Sequence, residues 1–258
     1  MKITELFFKP EVKPELNLDD PQTTVHHGEI IRNKKFLRKL YVDWYNFLLD
    51  ELPTLPEGKI LELGSGGGFL KELLPQAITS DVMPLPGCDL TFSAEEMPFE
   101  DESLSAIFMI DVLHHIPRVD LFFAEAQRCL KKGGKIIMSE PANTPWSRYF
   151  YQNFHHEPFE PAANSWEIPS TGPLSGANGA LPWIVFKRDI AIFQQKYPQL
   201  KLVKHKLHTP SRYLLSGGLS YKALVPYWSF GFFTFVEKMT SPLNPLWAMF
   251  QLIIVEKK

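Results

Sequence analysis

An α/β fold is what this chain of 258 residues predicts. Three observations carry the prediction. Short apolar runs alternate with helical patterns between residues 59 and 140, as strand–helix–strand units require. The first run leads straight into a glycine turn, Gly64-Ser65-Gly66-Gly67-Gly68, and then into a helical segment. The length suits one large domain, or one domain carrying a long insertion.

In chain order, residues 1–24 are polar and proline-bearing and read as a loose arm. Residues 29–50 place Phe36, Leu37, Leu40, Tyr41, Trp44, Phe47 and Leu48 at helical spacing. They predict one long amphipathic helix or two short ones, ended by Pro53 and Pro56. Residues 1–57 are therefore expected to be an N-terminal arm and helical cap, and residues 58–258 the main domain. Strands are predicted at 59–63, at 77–80 ending on Asp81, at 88–92, at 104–110 and at 135–140. Helices are predicted at 69–74 and 119–130. Lys131-Lys132-Gly133-Gly134 is the turn into the 135–140 strand. Residues 141–185 then hold many Pro, Asn, Gly, Trp and His and little periodicity. A loop this long inside a domain is usually functional, as a lid or binding loop. A helix at 186–197 and a strand at 201–208 follow, then a second irregular or partly helical insertion at 209–247, and a last strand at 250–255.

Apolar residues at 45% and charged residues at 22% describe a chain that buries a sizeable core. A net charge of −2 gives no footprint for nucleic acid. The 20 Phe, 8 Tyr and 6 Trp are core material, some of which can line an apolar acceptor pocket. Cys88 and Cys129 have neither metal-type nor C-x-x-C spacing, so a reduced, cytoplasmic protein is the expectation. No signal peptide is expected, and the apolar stretches 228–236 and 246–255 fall short of the roughly 20 residues a spanning helix needs.

The chemistry is concentrated in Leu61-Glu62-Leu63-Gly64-Ser65-Gly66-Gly67-Gly68-Phe69. Glycines let the backbone approach a ligand closely. A dinucleotide fingerprint, G-x-G-x-x-G/A, fails: its third glycine would fall on Phe69 or on Lys71. There is no Walker lysine, which excludes a P-loop. The spacing present is E-x-G-x-G-x-G. S-adenosylmethionine (SAM) has no phosphates, and an acidic residue such as Glu62 can orient its ammonium end. Asp81, at the tip of the next strand, can accept hydrogen bonds from two ribose hydroxyls.

Five elements in order now resemble the class I SAM-dependent methyltransferase superfamily, and within it the small-molecule type 11 group. They are residues 61–68, Asp81, Ser93-Ala94-Glu95-Glu96-Met97-Pro98-Phe99, Asp111-Val112-Leu113-His114-His115-Ile116 and Leu130-Lys131-Lys132-Gly133-Gly134. The resemblance covers about residues 58–141. It implies a Rossmann-like, seven-stranded, mostly parallel sheet with an antiparallel last strand, helices on both faces, and long insertions after strands 5 and 6. It places Glu62, Gly64, Ser65, Gly66, Gly68 and Asp81 at the cofactor, Ser93, Ala94 and Glu95 near the adenine, and Asp111 on the floor beside the methyl group. Where the family usually carries aspartate this chain has Ser93, which offers a single hydrogen bond to the adenine amino group. Ser105 stands where the family often has another aspartate.

Methyl transfer from a sulfonium is an in-line displacement, so the protein's work is alignment and exclusion of water. A base is needed only for a protonated oxygen or nitrogen acceptor. Six of the eight histidines come in adjacent pairs. His114 and His115 follow the strand expected to end beside the methyl group, and His155 and His156 lie in the 141–185 insertion next to Glu157. These four are the candidate catalytic residues, with packing and helix capping as the alternative for the first pair. A His–Glu metal site lacks ligand spacing, and no metal is expected. Residues 141–185 are expected to be a lid with His155, His156 and Trp166 facing inward. Tyr227, Trp228, Phe230, Phe232, Phe233 and Phe235 point to an apolar acceptor or a membrane-surface contact, or equally to core or a dimer interface. The function expected is SAM-dependent methyl transfer to a small, partly apolar molecule. A catalytically silent SAM-binding module and a protein or RNA methyltransferase are the rivals; the intact turn argues against the first and the missing basic face against RNA.

Overall fold

A computed structural model describes residues 19–258. Of the arm expected over 1–24, residues 1–18 lie outside the described residues, and the remainder is not loose. Helix α1, Pro21–Asn33, begins there because the Asp20 side chain accepts from the Gln22 amide and Pro21 stands at the first helical position. Lys34 is extended and separates α1 from α2, Lys35–Leu49, so the pattern over 29–50 resolves into two helices. Helix α2 buries Phe36, Leu37, Leu40, Trp44, Tyr45 and Leu48.

The strands are β1 Lys59–Glu62, β2 Ile78–Asp81, β3 Leu90–Thr91, β4 Leu104–Ile110, β5 Leu130–Pro141, β6 Leu200–His208 and β7 Phe250–Lys257. They form one seven-stranded sheet in the order β3-β2-β1-β4-β5-β7-β6. All pairings from β3 to β5 are parallel, and β7 runs antiparallel to both β5 and β6. Strand β4 is buried along nearly its whole length, as a central parallel strand covered on both faces must be. The turn expected at 131–134 is a kink inside β5: Gly133 is left-handed, and the register shifts so that Leu104 faces Leu130 and Ala106 faces Lys135.

Between the strands lie α3 (Leu70–Leu73) and α4 (Val119–Cys129). The first insertion starts with α5, Pro145–Phe154, a helix that the sequence reading missed. Thr144 and Ser147 exchange capping hydrogen bonds there, a capping box whose usual Glu or Gln is replaced by serine. The insertion continues to α6, Leu181–Trp183, and a π-helical turn, Ile184–Arg188, before α7, Ile190–Lys196. Tyr151, Phe159, Trp166, Ile168 and Ala180 belong to the main apolar core, so this segment is built into the fold. The second insertion carries α8 (Arg212–Ser216), α9 (Phe230–Met239) and α10 (Asn244–Trp247). Arg212 fastens it: buried Glu237 of α9 accepts from Arg212 Nε at 2.7 Å, and Asp43 of α2 from Arg212 Nη1 at 2.5 Å.

Candidate active site

Strand order reverses between β1 and β4, and in open α/β sheets ligands bind beyond the carboxyl ends of the strands at such a point. Four carboxylates stand at or just beyond those ends: Glu62 on β1, Asp81 on β2, Asp111 after β4 and Glu140 near the end of β5.

Glu62 is 3% exposed. Its Oε1 accepts from the Tyr45 hydroxyl at 3.0 Å, and the same hydroxyl accepts from the Phe69 amide, tying the glycine turn to the strand end. Oε2 has no hydrogen-bond partner among the described residues. Burial, opposed by hydrogen bonds from Ser65 and Tyr45, pushes the carboxyl pKa up to about 7. Gly64 is left-handed at φ 65°, and a Cβ there would meet Val112 at 2.6 Å, so the turn can close only on glycine. Ser65 fastens the turn to β2 by exchanging backbone and side-chain hydrogen bonds with Ser80. Asp81 accepts from the Gly66 amide and the Met83 amide, each at 3.0 Å. Arg32 of α1 donates to the carbonyls of Gly67 and Gly68, and Gly28 lies against Gly67 so closely that a Cβ on Gly67 would meet Gly28 Cα at 2.5 Å. Helix α1 thus lies on the glycine turn.

Ser93, Ala94 and Glu95 follow β3. The Ser93 hydroxyl accepts from the Glu95 amide at 3.2 Å, the Glu95 carboxylate accepts from the Arg118 amide at 2.9 Å, and Ala94 packs on the main core.

Asp111 has φ 57°, an unusual backbone for a non-glycine residue, and its buried Oδ1 has no partner among the described residues. Burial raises its pKa to about 8, with His114 opposing and Glu140 and Glu157 adding to the rise. Glu140, fully buried, holds the next turn together. Its Oε1 accepts from the amides of Val112 and Leu113, and its Oε2 pairs with His114 Nδ1 at 2.7 Å.

Two histidine pairs meet at Glu157. His114 Nε2, His115 Nε2 and His156 Nε2 each lie 3.5 Å from its carboxylate. His155 instead accepts from the Glu157 amide through Nδ1 at 3.3 Å, and burial lowers its pKa to about 4. His27 of α1 is near enough that, after burial and His26, the charges of His156 and Glu157 act on it. Burial alone would lower the pKa of His114, yet hydrogen bonding to Glu140, its charge and Glu157 hold it well above the usual histidine value. Glu157 sits well below the usual carboxylate range because His114 and His115 outweigh its burial. Trp166, expected to face inward, instead donates to Asp189 at 2.9 Å and lies under the Lys196 ammonium. Sequence reasoning missed Tyr45, Arg32, Glu140 and the meeting of the histidines; of these, only Tyr45 left a sign, on the buried face of the predicted helix.

Residues 61–138 match the profile of a methyltransferase-domain family. A sterol 4-C-methyltransferase of Caenorhabditis elegans is 32% identical over 92 residues, 29% of this chain and 28% of that protein. A ubiquinone/menaquinone biosynthesis C-methyltransferase of Rhizobium etli is 42% identical over 55 residues, 20% of this chain and 21% of that one. The matches therefore span only 21–28% of the length of these relatives. A SAM-dependent methyltransferase structure from Archaeoglobus fulgidus superposes with a TM-score of 0.51 at 16% identity, covering 89% of this chain and 97% of that one. Over residues 61–138, on a seven-stranded Rossmann-like sheet, this chain is thus similar to SAM-dependent methyltransferases.

Proposed function

We propose that the protein transfers a methyl group from SAM to a small, partly apolar acceptor. The observation that carries the reading is a pair of buried carboxylate oxygens, Glu62 Oε2 and Asp111 Oδ1, left without partners beside the glycine turn. A buried acceptor atom without a donor is costly, and a cationic ligand resolves both. Glu62 would hold the ammonium end, Asp81 the ribose hydroxyls, Ser93, Ala94 and Glu95 the adenine side, and Asp111 the region of the sulfonium. When bound, SAM supplies a methyl group on a sulfonium that is its own leaving group. The residues of the chain have to align the acceptor and keep water out.

Residues 58–258 act as the catalytic domain in this reading, with the helices before it as a cap. Segment 141–185 covers the acceptor pocket as a fixed wall, because its Tyr151, Phe159 and Trp166 are part of the core. The His114–His115–Glu157 cluster is the polar end that meets the acceptor. The free thiols Cys88 and Cys129 fit a reduced, cytoplasmic setting.

The acceptor reading is sharpened by an exposed apolar face. Trp228 is 83% exposed, and Phe232, Phe235, Met239, Leu243 and Leu246 stand out beside it on α9, α10 and their connection. Among the described residues no helix is long and apolar enough to cross a membrane. Such a face lies flat on a lipid surface, where Trp and Phe insert at the headgroup boundary. Relatives named for sterols and quinones agree with an acceptor drawn from lipid.

Calorimetry with S-adenosylhomocysteine (SAH) tests the cofactor, with binding expected near micromolar, about −8 kcal/mol. Transfer of a labelled methyl group from SAM to sterol and quinol lipids tests the acceptor. Binding of NAD with no binding of SAM or SAH overturns the reading.

A further inference from the structure

We propose that His114 Nε2, His115 Nε2 and the Glu157 carboxylate form a binding site for one divalent transition-metal ion of the zinc class, with a coordination position left open. One ligand atom from each of the three lies within 4.8 Å of the others. The sequence spacing hides this set, since Glu157 lies on another element, after the end of α5.

Hydrogen bonding fixes what each ring presents. The Gly176 carbonyl faces His115 Nδ1 at 3.2 Å. A carbonyl can only accept, so Nδ1 carries the proton and Nε2 presents a lone pair in the neutral ring. His114 Nδ1 likewise donates to Glu140, whose other oxygen is held by two backbone amides. This is the carboxylate–histidine arrangement that orients metal-binding imidazoles and raises their basicity. Both free Nε2 atoms then face Glu157, whose side chain is 20% exposed. Lone pairs facing a carboxylate need a positive charge between them, a proton or a metal ion.

The distances favour the ion. Both Nε2-to-carboxylate contacts are 3.5 Å, beyond the usual 2.7–3.2 Å of a strong hydrogen bond. A tetrahedral ion bonded at about 2.0–2.1 Å sets its ligand atoms roughly 3.3–3.4 Å apart. Two histidines and a carboxylate are also a donor set that zinc takes in open, catalytic sites. The second cluster, Asp111–His114–Glu140, is not the site, because Glu140 is already saturated and His114 can serve only one ion.

On the methyl-transfer reading, and only on it, the open position would hold an acceptor oxygen and lower its pKa, doing the work otherwise asked of a base. Metal binding itself does not depend on that reading. The test is titration of untagged, chelator-treated full-length protein with Co2+, following its visible d–d absorption, and then competition with Zn2+. One equivalent of Co2+ is expected, displaced by Zn2+. His115→Ala and Glu157→Gln should each weaken binding at least tenfold, Glu140→Gln by about 10- to 100-fold, and His205→Ala not at all. Thermal melts and SAH calorimetry on the same samples report folding. Stoichiometric Co2+ uptake without SAH binding keeps the metal site and removes the methyltransferase reading. Absence of stoichiometric uptake, or equal uptake by wild type, His115→Ala and Glu157→Gln, overturns the site.

Discussion

Two glutamates within the inserted segments make opposite use of their surroundings. Glu237 is saturated: its oxygens accept from the Ser211 amide and hydroxyl, the Arg212 amide and the Arg212 guanidinium, at 2.7–3.0 Å. Glu157 faces four histidines, three of them at 3.5 Å from their Nε2 atoms, and closes no strong hydrogen bond with any ring. The first arrangement is finished and holds α8 and α9 to α2. The second leaves donors and acceptors short of one another, which is how a binding site looks before its ligand is counted. Saturation separates the two glutamates more clearly than burial does.

The sharpest way to break that contrast is to remove one partner from each cluster. Arg212→Ala leaves buried Glu237 without its countercharge, while Asp43 keeps Lys39, and an uncompensated buried charge costs about 3–5 kcal/mol. For a domain of this size that lowers Tm by roughly 6–20 °C in calorimetric melts. Glu157→Gln should cost less than about 1 kcal/mol, because His114 keeps Glu140 and a histidine can shed its proton where an arginine cannot. Equal losses in the two variants would end the distinction.

Next in size is Asp81→Ala. On the proposed role of Asp81 at the ribose, its removal should weaken SAH by roughly 10- to 150-fold, equivalent to about 1.5–3 kcal/mol, with little loss of stability. An unchanged Kd takes Asp81 out of the cofactor site.

Glu62 gives a pH test of the half-used carboxylates. Its pKa is raised to about 7 in the fold, so the folded chain favours the protonated acid. The stability it contributes is therefore present below about pH 4.5 and is lost as pH rises through about 7. An ammonium ligand needs the ionised form. SAH affinity should then rise roughly tenfold per unit as pH climbs toward about 7, and level off above it. Flat affinity between pH 5.5 and 7.5 would mean that Glu62 does not meet the ammonium.

The smallest effect concerns the exposed face. Trp228→Ser with Phe232→Ser should weaken binding to anionic lipid vesicles by about fivefold or more in sedimentation assays, leaving SAH binding untouched. Neither residue supports the core, so stability should hold.

How much of this was legible in the sequence follows from which contacts are local. The strands announced themselves because central parallel strands are apolar without interruption, as Leu104–Ile110 is. The turn and its two acids were legible because Glu62 and Asp81 stand at fixed offsets from glycines and strand ends. Helix α1 was hidden because Thr23, Thr24, His26 and His27 carry no apolar stripe; only the Asp20-Pro21 start betrays it. Helix α5 was hidden by a capping box that uses serine. Glu140 read as an ordinary strand residue, and the convergence on Glu157 joins residues 42 and 43 positions away as well as its own neighbours. No local pattern encodes such a meeting; the packing of the first insertion against the sheet creates it.

The contact of Gly28 with Gly67 has a consequence in time. Two backbones touching without side chains leave no slack between α1 and the glycine turn. The Asp19 carboxylate also accepts from the Leu174 amide, so the helix is tied at its head to the first insertion. On the proposed cofactor reading, a nucleoside bound at the turn would depart only as often as that clasp opens, and such openings belong to the microsecond-to-second range. Turnover would then be governed by departure of the spent cofactor. Its kinetic signature is a rapid first turnover per chain followed by a slower steady rate.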